Sequence, residues 1–426
     1  MNNLIPLKNA CVYSSDKIDI KEVTLENYIT TDNLLQNKLG ITLADNLPPK
    51  ETNLVKYSKE NILVANIRPY LKKIWFSNKV GGCSADVLVF KVNEGFDSKF
   101  VYYSLFRDDF FVHAMKGSKG TKMPRGDKAQ IMEFLIPNLN LAAQQKIASV
   151  LSSLDTKIEL NNRINTELEQ ITKTLYDYWF VQFDFPNEDG KPYKSSGGKM
   201  VYNEELKREI PEGWKVKSLG EISSFISRGI SPKYIDSGGV CVLNQKCIRN
   251  RTIIYNRAKR NDNSERNAEP KRVLKYDILV NSTGVGTLGR VAVVNRLAED
   301  FVTVDSHVTI IRANENSINK FYFGFSLLEK QKEIERFAYG STGQVELSRS
   351  QLENLRIIAP SEETQIKFEK VYKNCLDKMA LNAEENHQLT SLRDWLLPML
   401  MNGQVKVKEP EKKLDMAAES SVSYKK

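Results

Sequence analysis

The stretch from Gln144 to Val181 reads QQKIASVLSSLDTKIELNNRINTELEQITKTLYDYWFV and contains neither Gly nor Pro. Its apolar residues recur at steps of three and four: Ile147, Leu151, Leu154, Ile158, then Leu168, Leu175 and Trp179. That spacing predicts one long amphipathic helix. Pro137 and Asn138–Asn140 precede it, and Pro186 and Gly190 follow, so both ends are punctuated. Such a helix is roughly 57 Å long at about 1.5 Å per residue. A helix longer than a small domain needs a partner along its apolar seam. The same chain supplies one between Thr364 and Asn402, where Phe368, Tyr372, Cys375, Met379, Leu389, Leu396 and Leu400 repeat the spacing. Pro398 falls near the end of this second stretch, where a helix can kink or stop. Asn161 and Asn165 interrupt one seam, and Asn382 and Asn386 the other. They either fix register as buried polar pairs or face solvent as the helix drifts.

Outward from these helices the chain repeats itself. Residues 1–143 carry β-prone runs at Ile62–Ala65 and Asp86–Val92, an aromatic helical segment at Lys99–His113, and a basic loop at Gly117–Gly126. Residues 214–361 follow the same plan. Tyr276–Val280 answers Lys59–Val64, Asp305–Val308 answers Cys83–Val87, Gly340–Gly343 answers Gly117–Gly120, and Leu376-Asp377 answers Leu154-Asp155. The reading is a tandem duplication: globular unit 1–143, long helix 144–182, connector 183–213, second unit 214–361, second helix 362–402. The fold class expected is α/β, with two mixed α/β units, each followed by a long helix, in an internal repeat. The charged tail 403–426 reads as disordered.

Composition narrows the class. No apolar run approaches the length of a membrane span, and the N-terminus lacks a basic region followed by an apolar core. The five cysteines, Cys11, Cys83, Cys241, Cys247 and Cys375, are scattered and odd in number, which fits a reduced cytoplasmic protein. A formal net charge of +9 makes a polyanion a plausible partner, without proving one.

Catalytic motifs are conspicuous failures. Gly284–Gly289 matches GxGxxG, but Arg290–Asn295 after it reads as a strand, where a dinucleotide site needs a helix. The expected element is a Gly-rich hairpin. No phosphate-binding loop, methyltransferase-type Pro-Pro-aromatic run or nucleophile–base arrangement is present, and His113, His307 and His387 show no metal-ligand spacing. His307, inside a β-prone run, reads as structural. No catalytic residue, metal ligand or cofactor is assigned to this chain.

What remains are basic and aromatic residues in matching loops. The candidates for DNA contact are Arg68, Tyr70, Lys72, Lys73, Lys116, Lys119, Lys122 and Arg125 in the first unit. In the second they are Arg228, Lys233, Tyr234, Lys246, Arg249, Arg251, Arg290 and Arg349. Arg and Lys donate to phosphates and base edges, and any one such residue is more often just solvated surface. Recurrence on two units favours double-stranded DNA.

Several short runs, in order, resemble the specificity subunit of a type I restriction–modification system. They are Pro137 through Gln144-Gln145-Lys146-Ile147-Ala148, Leu154-Asp155, Trp179–Phe185, Ile210-Pro211-Glu212-Gly213-Trp214, Leu219-Gly220, Asp277–Val280 and Leu396–Gly403. The resemblance spans nearly the whole chain. It implies two mixed α/β target-recognition domains, each reading half of a split DNA site, held apart by an antiparallel coiled coil of the two long helices in a pseudo-twofold repeat. It also implies two methylation subunits that bring S-adenosylmethionine, and restriction subunits that bring ATP and Mg. Two departures stand out: Asn61 occupies the place of Asp277, and the first unit lacks the glycine-rich loop. The alternatives are a subunit of a system whose partner fuses methylation and cleavage, and a coiled-coil scaffold that does not bind DNA.

Overall fold

A computed structural model of the chain describes residues 3–48, 54–118, 120, 122–264, 268–284, 286–337 and 346–407. The chain divides into two compact units, Met1–Leu160 with Glu385–Lys426, and Asn161–Glu384. Each unit therefore takes one piece of each long helix. The tail after Val407 and the Gly340–Gly343 loop lie outside the described residues.

The first long helix runs Leu141–Tyr176 and closes in a π-helical turn, Asp177–Val181. It begins three residues before the expected start because the Asn140 side chain accepts the Ala143 N–H at 2.9 Å. The second runs Glu362–Met401, with Pro398 inside its last turn. In the first unit Ile147 and Leu151 share a buried core with Leu397 and Leu400. Lys157 meets Glu385 at 3.4 Å, and Asp155 meets Arg393 at 2.8 Å. Ascending numbers on one helix face descending numbers on the other, so the pairing is antiparallel. The second unit shows the same sense, with Asn165 bonded to Asn382 at 2.8 Å and Tyr176 against Phe368. Leu154, Ile158, Leu168, Leu175, Met379, Leu389 and Leu396 are half-buried, and Phe368 is fully buried. Asn161 and Asn382 are buried too, so the two polar interruptions lie in the seam and do not drift to solvent.

Each unit is built on a four-stranded antiparallel sheet of the same order. In the first unit it is Cys11–Tyr13, Val87–Val92, Ile62–Ala65, Ile74–Phe76. In the second it is Ser223–Arg228, Val308–Ala313, Ile278–Asn281, Val291–Val293. The Ile62–Ala65 and Ile278–Asn281 strands are buried on both faces, which explains their unbroken apolar character. The Gly284–Gly289 run is the hairpin loop between Ile278–Asn281 and Val291–Val293, and a strand follows it. Gly284 and Gly289 have positive φ, and a Cβ at Gly289 would strike the backbone of Glu335. The aromatic segment of the first unit is helical in two pieces, Ser98–Phe106 and Asp108–Lys116, broken where Arg107 turns extended.

The second sheets of the units share a parallel pair and then diverge. Tyr28–Ile29 lies parallel to Gly81–Cys83, as Val240–Leu243 does to Val302–Val304. In the first unit the antiparallel strands Lys17–Ile18 and Leu54–Tyr57 join at Gly81–Cys83. In the second, Tyr234–Ile235 and Lys259–Asn261 join at the other member of the pair, Val240–Leu243.

One glutamine in each unit ties sheet unit to helix. Gln144 Oε1 accepts the N–H of Asp97, which caps the aromatic helix, while its Nε2 donates to Leu139 O, both at 2.8 Å. Gln365 repeats this with the capping Asn319 at 2.9 Å and Pro360 O at 2.8 Å. The 183–213 segment is a folded part of the second unit. Met200–Asn203 and Arg208–Pro211 form a hairpin, and Phe185 stacks on Trp214 with ring centroids 4.8 Å apart.

Candidate nucleic-acid interface

At the turn of the inner hairpin, three chain segments are tied together by main-chain bonds. In the first unit Asn66 N–H donates to Asp86 O at 2.8 Å, and Gly126 N–H donates to Asn66 O at 3.1 Å. Ile67 and Arg125 form an isolated antiparallel bridge. The second unit repeats the knot bond for bond. Ser282 N–H donates to His307 O at 2.8 Å, Leu347 N–H donates to Ser282 O at 2.9 Å, and Thr283 bridges Glu346. The backbone is conserved between the units while the side chains are not: Asp86 answers His307, Ile67 answers Thr283, and Arg125 answers Glu346.

These side chains are held. Arg125 Nη2 lies 3.0 Å from Asp86 Oδ1, with both groups partly exposed. In the second unit Arg228 directs one nitrogen to Glu346 and the other to Leu347 O at 2.8 Å. His307 stands in an exposed turn, with Nδ1 2.6 Å from Thr283 Oγ1, so it is not a buried structural residue of a strand. Asp305 beside it is buried and accepts the His307 N–H at 2.9 Å. Burial pushes its carboxyl above the usual range, and that N–H opposes the rise in part. Tyr234 donates to Asp305 at 3.3 Å, and its hydroxyl is pushed up to about 12 by burial and by that carboxylate. Near each knot lie polar atoms with no hydrogen-bond partner among the described residues: Asn66 Oδ1 and Arg68 Nε in one, Gln245 Oε1 and Asn281 Oδ1 in the other. Buried polar atoms without partners are rare in folded proteins.

The basic candidates sort by place. Arg68 joins the knot through its N–H to Pro124 O at 2.8 Å, which brings it beside Lys122 and Arg125. Tyr70 and Lys72 lie on the same loop, and Lys116 ends the helix that Lys72 and Lys38 clasp at Asp108. Burial alone would raise the Asp108 carboxyl, but the two lysines outweigh it and hold it below its ordinary range. Lys73 is a correction. It is buried, its ammonium donates to Thr31 O, and burial lowers its pKa, so its side chain is internal and not on the loop surface. In the second unit Arg228, Arg290, Lys246 and Tyr234 lie around the hairpin end. Arg290 Nη2 donates to Gly286 O at 2.8 Å, and Gln245, next to Lys246, accepts from Asn281 through its carbonyl at 3.0 Å. Lys233 lies near Asp262, and Arg249 is exposed on its own small hairpin. Arg349 is exposed and pairs with Glu353 at 2.7 Å. Arg251 lies apart from these. It pairs with Glu329 at 2.6 Å and lines a cavity with Glu169, Thr172 and Tyr372, on the long-helix side. Lys119 lies outside the described residues.

A search for basic residues misses Asp86, Gln245, Thr283, His307 and Glu346. The register of the repeat could have found two of them, since aligning Val87 with Val308 sets Asp86 against His307. The departure of Asn61 from Asp277 also has a physical reason. Both side chains accept an N–H three residues back, Ser58 at 2.8 Å and Leu274 at 2.7 Å, and Glu60 and Tyr276 before them both have positive φ. The turn is the same. Asp277 alone carries charge because Arg312 faces it, where the first unit has the exposed Lys91.

Comparison with known proteins matches this duplicated plan. The family described as type I restriction modification DNA specificity domain matches residues 3–170 and again 211–391. The chain belongs to that family. It is 30% identical over 322 residues to the type I restriction enzyme MjaIX specificity subunit of Methanocaldococcus jannaschii, covering 74% of this chain and 71% of the relative. It is 25% identical over 441 residues to the HindI specificity subunit of Haemophilus influenzae, covering 89% and 94%. The crystal structure of the type I restriction–modification S subunit from M. genitalium shares the fold at a TM-score of 0.56 and 19% identity, over 94% of this chain and 96% of that one. As a specificity subunit the chain is a DNA-sequence recognition component of such a system. Among its described residues no helix is long and apolar enough to cross a membrane.

Proposed function

We propose that the two units of this specificity subunit read the two halves of a bipartite DNA site, each through the loops gathered at its hairpin knot. The observation that carries this is the repetition of one main-chain knot under different polar side chains. A scaffold held by its own backbone can change the groups it presents without losing its shape. Duplex DNA is the fitting partner, because its groove edges differ base by base in donor and acceptor pattern. In this reading the chain performs no chemistry. S-adenosylmethionine is held by two methylation subunits, and ATP and Mg by the restriction subunits. Arg68, Tyr70, Lys72, Lys116 and Lys122 in one unit, and Lys246, Arg249 and Arg290 in the other, supply the phosphate and groove contacts.

The test is co-expression with its methylation subunits, followed by sequencing of methylated DNA. A bipartite methylated motif is expected. Exchanging residues 1–143 for the corresponding unit of a relative should then change one half of the motif and leave the other. Simultaneous change of both halves would refute independent reading.

A further inference from the structure

The two knots present opposite hydrogen-bonding polarity from the same backbone position. Arg125 offers a guanidinium, a pure donor, and its side chain is 61% exposed. Glu346, its counterpart, offers a carboxylate, a pure acceptor when ionised, and is 54% exposed. Each head group is steadied by an opposite charge from a neighbouring segment: Asp86 beside Arg125, and Arg228 beside Glu346. Exposed ion pairs contribute little to folding stability, so stability alone is a weak reason for this arrangement. An aimed head group at the ligand-facing turn is a stronger one.

In the major groove guanine shows two acceptors, O6 and N7, and cytosine shows the N4 amine as a donor. We propose that Arg125 reads a guanine in the half-site of the first unit, and that Glu346 accepts from a cytosine amine at the corresponding place in the other half-site. Asp86 and Arg228 are positioning residues that fix the two head groups. This rests on the reading that the chain recognises bipartite DNA, and it adds which residues discriminate and what each demands. Both half-sites must therefore contain a G·C pair.

The experiment uses the full chain in complex with its methylation subunits and reads the methylated motif by sequencing. Arg125→Gln should relax one base pair of one half-site from guanine toward adenine, because a Gln amide pairs with adenine N6 and N7. The expected change in preference at that position is about 5- to 150-fold. The half-site of the second unit should stay as it was. Glu346→Gln should likewise shift one base of the second half-site from cytosine toward adenine and leave the first half-site as it was. Arg125→Lys keeps the charge but loses the two-pronged fork, so it too should lose guanine preference. A motif identical to wild type with Arg125→Lys and Arg125→Gln would overturn the assignment. So would equal loss of methylation across all sequences with thermal melting unchanged, which marks a phosphate contact. A variant that melts early but still shows the altered base at one position supports it, since a folding defect cannot change one base pair alone. A wild-type half-site without a G·C pair overturns it outright. A wild-type complex that methylates no bipartite motif would instead refute the reading on which it rests.

Discussion

The exchange of Asn61 for Asp277 between the units sets up a stability experiment already half performed by the duplication. Asp277 is almost fully buried, and its two oxygens accept from Arg312 Nε and Nη2, each at 2.7 Å. One of those oxygens also accepts the Leu274 N–H. Burial pushes the carboxyl above its usual range, and Arg312 offsets that only in part. Removing the guanidinium with Arg312→Met strands a buried carboxylate, which costs about 3–5 kcal/mol. Asp277→Asn keeps the turn acceptor, as Asn61 does, and removes the buried charge, so a cost of about 1 kcal/mol is expected. The double variant recreates the first unit's neutral turn and should recover at least about 2 kcal/mol of the loss in Arg312→Met. The pH dependence follows from the direction of the shift. A carboxyl with a raised folded pKa takes up a proton on folding, so its contribution is fully present below about pH 4 and is lost as pH rises through the folded value. Arg312→Met should therefore be nearest wild type in acid and weakest near pH 7. The assay is urea unfolding of the full chain in a Trp75→Phe, Trp395→Phe background, where Trp179 and Trp214, both in the second unit's core, are the reporters. Additive single and double effects, or a deficit in Arg312→Met that does not shrink in acid, would refute the reasoning.

Three further outcomes are expected. Asn382→Leu leaves the Asn165 amide without its 2.8 Å partner and should lower stability by about 1–3 kcal/mol, while Asn165→Leu with Asn382→Leu should restore most of it, read by the same unfolding assay. Lys116→Ala with Lys122→Ala should weaken DNA binding of the assembled complex for every sequence and flatten the salt dependence by up to about 0.9 log unit per lost phosphate contact, measured by titration at several salt concentrations. Seven residues inserted after Leu160 and after Asn382 keep the seam in phase and lengthen each helix by roughly 10 Å, so the methylated motif should keep its half-sites and gain about one to three base pairs of spacer.

The long helices were legible because nothing in their sequence competes: no Gly, no interior Pro in the first, and a seam at helical spacing. The inner hairpins were legible as continuous apolar runs, since strands buried on both faces need no alternation. The second sheets were not. Lys17–Ile18, Tyr28–Ile29 and Tyr234–Ile235 are two residues each, too short to show a period. Their pairing depends on which edge of a parallel pair is free, and no local residue encodes that. The hairpin at Met200–Pro211 was hidden by its own polarity. It lies among Pro, Gly and Ser, and its cohesion comes from Phe185, Tyr193 and Trp214, which are separated in sequence and stacked only in the fold.

The interface was half legible for a related reason. Charge on a side chain can be read from sequence, but its direction cannot. Lys73 and Arg251 looked like Arg68 and Arg290 until burial turned one toward Thr31 and an ion pair turned the other toward Glu329. Acidic residues were passed over because DNA is acidic, although a carboxylate can still accept from a base amine once arginine steadies it. The knot explains why such residues can be exchanged. Its bonds run from main chain to main chain, so Arg125, Glu346, Asp86 and His307 help to close it through their backbones, whatever their side chains. Substituting them alters what the turn offers to a ligand and leaves the sheet, the hairpin and the apolar cores beneath intact. In the proposed reading stability resides in one set of atoms and selectivity in another, which is the physical condition for two copies of one unit to acquire different specificities.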